Sequence, residues 1–140
     1  MWNKIINFIK EFIENILKPK ENIIQIIPPV HISRIIDWAK AIEIYENANK
    51  KWNNPGAIRN LDGDFMKFPT HEAGFAYLCD YLTRCCTGKH KAYPRGGETT
   101  LLQFQNIYSP AIDQNNPLAY ALFIANKLGI KIDEKIKILL

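Results

Sequence analysis

Residues 41–59, AIEIYENANKKWNNPGAIR, join the end of an amphipathic helix to a turn built from Asn53, Asn54, Pro55 and Gly56. Ser33 has the chemistry of an N-cap for that helix, and Asp37 puts a negative charge where the helix dipole favours one. At about 100° per residue Ile35, Ala39 and Ile42 share a narrow arc, and Glu46 falls roughly 20° from Ile35. Glu43 lies at about 80°, on the edge of the stripe. The stripe that buries the helix therefore aims a carboxyl group at the core or at a cleft in it. Desolvation disfavours the carboxylate and raises its pKa, which suits a proton donor near neutral pH. The competing reading is a frayed helix end that lets Glu46 reach solvent beside Lys50.

Downstream, Asn tolerates left-handed backbone, Pro presets φ and Gly supplies positive φ, so residues 53–56 predict a sharp turn. Ala57 to Phe68 reads as a hairpin with Asp62-Gly63 at its tip. Asp62-Gly63-Asp64 lacks the other oxygen ligands and the position-12 Glu of a calcium loop, and no metal or cofactor is expected. Thr70 caps a helix running to about Cys86, with Glu72 as a dipole partner and Ala73, Tyr77, Leu78 and Tyr81 facing the core. Residues 87–98 form a basic loop in which Lys89, His90, Lys91 and Arg95 surround Tyr93, a pattern read as a solvated face before an anion-binding one. Thr99 or Thr100 caps a helix ending by Pro110. Pro117 opens the last main helix and Gly129 closes it, while residues 130–140 carry no assignable pattern.

The order Ala41-Ile42…Glu46, then Asn53-Asn54-Pro55-Gly56, Ile58 and Arg59, then Phe65, Phe68, Thr70, Glu72 and Gly74, resembles a phage-type peptidoglycan-cleaving family of the lysozyme-like superfamily. Tyr108-Ser109-Pro110, an Asn at 115 or 116 and the stretch Tyr120 to Ile130 extend the likeness over roughly residues 35–130. Two positions depart from the family pattern: Asn47 stands where a Gly usually follows the acid, and Ala57 where the turn usually has another Asn. The resemblance implies an α+β, mainly helical, lysozyme-like domain over residues 33–140, with a small β-hairpin walling a cleft.

It also implies a lytic transglycosylase or muramidase. Such an enzyme cleaves the β-1,4 bond between N-acetylmuramic acid and N-acetylglucosamine in peptidoglycan, with Glu46 as general acid. By family position and chemistry, Asn54, Arg59, Phe68, Tyr108 and Asn115 are the candidate substrate-binding residues, and no more than one of Phe65 and Phe68 is expected in the cleft. Asp62 and Asp64 are the nearby candidates for a second carboxylate. Without one, the glycan's own 6-hydroxyl attacks to give a 1,6-anhydro sugar, or a water held by Asn or Thr side chains hydrolyses the bond.

The 140 residues suit one globular domain, with 47% hydrophobic and 23% charged residues and a net charge of +4. That balance mildly favours anionic partners such as cell-wall polymer. Nucleic acid is not expected, because no binding motif is present and acidic residues are well mixed in. The alternative function is a non-catalytic glycan-binding or virion structural module that keeps the fold. Cys79, Cys85 and Cys86 lack zinc-site spacing and read as free thiols.

Residues 1–18 form a separate segment. Trp2, Ile5, Ile6, Ile9, Phe12, Ile13 and Ile16 line one side of a helix, with Lys4, Asn7, Lys10, Glu11 and Glu14 on the other. Three occupants compete for that apolar side: the domain's own core, a membrane interface contacted by residues 2–17, and a partner protein or second copy. Lys10, Glu11 and Glu14 interrupt any signal-peptide core and no cleavage site follows. The chain is thus expected to be made in the cytoplasm and to reach the wall by phage-style release or within a virion. Residues 19–32, with Pro28-Pro29, read as a linker.

Overall fold

The computed structural model describes residues 2–17, 33–47 and 50–140, with the side chains of residues 15–17 and 50 outside it. The predicted linker 19–32 lies outside the described residues. The chain divides into two units, residues 1–32 and 33–140.

In the first unit, α1 spans Trp2–Leu17. Its apolar side chains, from Trp2 through Ile5, Ile6, Phe8, Ile9 and Phe12 to Ile13, are exposed. Among the described residues no helix is long and apolar enough to cross a membrane.

The second unit is mainly helical: α2 is Ile35–Glu46, α3 His71–Thr87, α4 Leu101–Tyr108 and α5 Pro117–Leu128. Side chains meet free N–H groups at the helix starts, although the N-cap of α2 is Arg34, without a side-chain cap, and the predicted cap Ser33 lies one residue earlier. Ser33 Oγ accepts from the Ile35 N–H at 3.3 Å, Thr70 Oγ1 from Ala73 at 3.1 Å, and Asn116 Oδ1 from Ala119 at 3.0 Å. Thr100 and Gln103 form a reciprocal capping box. Left-handed residues end α2, α3 and α5, namely Asn47 (φ 38°), Gly88 (φ 75°) and Gly129 (φ 66°). Asn47 is a residue type that tolerates this conformation.

α2 packs against α3 and α5, and α4 against α5. Trp38, Ile42, Leu78, Leu82, Phe104 and Ile124 are fully buried at their junction, with the Trp38 and Phe104 rings edge to face at 4.7 Å. Residues 130–140, which carried no pattern, close this core: Ile136 and Leu139 are fully buried. The Ile136 N–H bonds the Thr99 carbonyl at 2.8 Å, and the Arg34 N–H reaches the Leu139 carbonyl at 2.8 Å.

The β component is smaller than expected. Among the described residues there is no strand, only isolated antiparallel bridges at Arg59–Phe65 and Thr100–Lys135. The predicted hairpin survives as a narrow loop. The Met66 N–H bonds the Ile58 carbonyl at 2.9 Å, the Asn60 N–H bonds Asp64 at 2.7 Å, and Gly63 turns the tip at φ 91°. With no third strand beside it, the loop has nothing to extend a ladder onto. In the basic loop Lys89, Lys91 and Arg95 are exposed, as expected of a solvated face, while Tyr93 is buried and stacks on Phe104 at 5.1 Å.

Candidate active site

The Asn-Asn-Pro-Gly turn positions one wall of the site. Positive φ falls on Asn53 (51°) and Ala57 (50°), not on Gly56 as the sequence suggested. Gly56 is needed for space instead: a Cβ there would lie 2.8 Å from Leu78 Cδ1 and 2.9 Å from Tyr108 Oη. Gly74 on α3 is tighter still, since its Cβ would meet the Asn53 carbonyl oxygen at 1.8 Å. Helix and turn thus press backbone to backbone. Asn54 is buried and strapped to both arms of the loop. Its Nδ2 donates to the Ile58 and Met66 carbonyls at 2.8 and 3.0 Å, and its Oδ1 accepts from the Ile58 N–H at 3.0 Å.

Between this turn, the hairpin loop and the segment after α4 lies a cleft of about 380 Å³. Glu46, Arg59, Phe65, Tyr108, Asp113 and Asn115 are among its lining residues, as is His90. Glu46 is the last residue of α2 and is half-buried. The Tyr120 hydroxyl donates to Glu46 Oε1 at 2.8 Å. Burial pushes the Glu46 pKa above the ordinary carboxyl value, and the Tyr120 hydrogen bond, which favours the charged form, offsets part of that rise. Glu43, at the stripe's edge, turns elsewhere and pairs with His71.

No family model, curated protein or solved structure matches this chain.

The cleft gathers four of the six residues expected at the site: Glu46, Arg59, Tyr108 and Asn115. Arg59 lies over the Phe65 ring at 4.0 Å and donates from Nη1 to the Gly63 carbonyl at 2.7 Å, which stiffens the hairpin wall. The Tyr108 hydroxyl donates to the Gly56 carbonyl, and Asn115 Nδ2 to that of Pro110 at 3.4 Å. Asn54 is not among the lining residues, because all its hydrogen-bonding capacity toward the loop is spent inside the fold. Phe68 is not there either. It packs on Tyr77 at 5.3 Å, while Phe65 takes the cleft position.

Asp62 and Asp64 sit exposed at the loop tip, with Asp62 Oδ1 accepting the Asp64 N–H at 3.0 Å. The second carboxylate in the cleft is Asp113, in the short 3-10 turn Ala111–Asp113. Tyr120, His90 and Asp113 carry no local sequence signal for this role; their places depend on how α3, α4 and α5 pack. Among the described residues no three His, Cys, Asp or Glu side chains converge as metal ligands would.

Proposed function

We propose that this chain is a peptidoglycan-degrading glycosidase with a lysozyme-like fold, cleaving the β-1,4 bond between N-acetylmuramic acid and N-acetylglucosamine. The observation that carries the reading is a half-buried carboxyl of raised pKa at a helix end, opening on a cleft floored by tyrosine. Glu46 delivers its proton to the glycosidic oxygen, the C1–O bond breaks, and positive charge develops on the sugar ring. In the transglycosylase course the 6-hydroxyl of the same sugar attacks C1 and returns its proton to Glu46, leaving a 1,6-anhydro end. In the hydrolytic course water attacks instead, and Asp113 is the carboxylate available in the cleft to assist it.

The test is clearing of purified cell walls by the full chain and by Glu46→Gln. A general acid contributes roughly 10²- to 10⁴-fold, so the variant should lose at least about a hundredfold of turnover. Near-full clearing by Glu46→Gln overturns its assignment as the acid. Wild-type chain that binds walls without clearing them supports a glycan-binding module instead. Mass spectrometry of released fragments separates anhydro from reducing ends, and Asp113→Asn should depress only the latter.

A further inference from the structure

From the Glu46 carboxyl an aromatic row leads away through Tyr120, Tyr108 and Tyr81 to His90, with ring centroids 6.3, 5.8 and 4.7 Å apart in succession. The carboxyl and the imidazole line the same cleft. His90 is held edge-on by Tyr81, and by Tyr93 at 5.3 Å, so the ring has a fixed orientation. Its Nδ1 accepts the Ala92 N–H at 3.2 Å. That bond occupies the Nδ1 lone pair, so the neutral ring carries its proton on Nε2. Partial burial and the nearby Arg84 charge both lower the His90 pKa, which favours the neutral ring. Among the described residues the hydrogen bond made by the His90 ring is the one at Nδ1, and none is formed by Nε2. A rigid donor without a protein acceptor, on the wall of a concave site, is the kind of polar group that orients a ligand.

We propose that His90 is a substrate-binding residue whose Nε2–H donates to a hydroxyl or acetamide oxygen of an N-acetylated sugar lying in the cleft against Tyr108 and Tyr81. This rests on the glycan reading and narrows it. A neutral imidazole N–H beside aromatic rings can serve the hydroxyl and acetamide oxygens of such a sugar without placing a further charge in the cleft.

The test is binding of chitotetraose to the full chain carrying Glu46→Gln, which holds ligand without turning it over. His90→Phe keeps a ring against Tyr81 and removes the donor; His90→Gln places an amide N–H close to the Nε2 position. Phe should weaken binding about tenfold, the scale of one neutral hydrogen bond, and Gln should recover to within about threefold. A packing role gives the opposite order, with Phe equal to the parent and Gln weaker, and overturns the proposal. Equal binding by all three overturns it alone, whereas no binding by the parent overturns it together with the glycan reading. Independently of any variant, the Nε2–H resonance of the unsubstituted histidine should shift as chitotetraose is added. A resonance that stays put counts against the assignment.

Discussion

A carboxyl group half-buried at a helix end is caught between two effects of comparable kind. Loss of water favours its neutral form, and a donated hydrogen bond favours its anion. At Glu46 burial is the larger of the two and the Tyr120 hydroxyl the smaller. Tyr120→Phe removes only the smaller one, so the Glu46 pKa should rise further. As the proposed general acid, Glu46 acts in its protonated form. The alkaline limb of the pH–rate profile should therefore move to higher pH in Tyr120→Phe, while rates well below both pKa values converge with wild type. A limb that moves down would mean the hydroxyl acts some other way. Glu46 was legible because its signal is local: one helix, one arc. Its partner lies 74 positions away, and nothing in the sequence around Tyr120 says whose carboxyl it meets. Asn54 reads as a turn residue and as a ligand contact alike, and only the observed bonding separates the two roles.

The turn and the loop after it form an element whose rigidity comes from side chains instead of a strand ladder. Asn54 closes three hydrogen bonds within it, all at 3.0 Å or less. Asn54→Ala leaves the Ile58 N–H without its partner in a buried site and should destabilise the fold by about 2–4 kcal/mol, read from denaturant midpoints. Wall clearing should fall as well, since Arg59 and Phe65 ride on this loop. A stability loss under about 0.5 kcal/mol would contradict the strap. The helices were legible from caps and periodicity, Thr70 and Pro117 above all, because those signals act over one turn. The hairpin was legible as a reversal of the chain at Asp62-Gly63. Its lack of strand was not, since pairing depends on neighbours that a sequence pattern does not supply. Ala57 illustrates the same limit: φ 50° is costly for alanine, and an Asn would tolerate it better.

At the scale of the whole second unit, the last five residues are part of the core. Ile136 and Leu139 together bury side chains worth roughly 3–6 kcal/mol, a large share of the 5–15 kcal/mol typical of a domain. Removing residues 136–140 should therefore abolish a cooperative thermal transition or lower its midpoint steeply. A truncated chain melting like the full one would refute that role. The tail was illegible because it has no period; it is fixed by contacts with Thr99, Leu101 and Arg34 that are remote in sequence. The three thiols follow the same inside–outside division. Cys85 and Cys86 are buried, with Cys86 pushed up to about 12 and Cys85 higher, whereas Cys79 is half-exposed. Thiolates do the attacking, so an aromatic disulfide reagent should label the native protein once, slowly, at Cys79, and three times after denaturation. The protein thereby carries its own chemical clock, in which the appearance of the second and third label counts each opening of the interior.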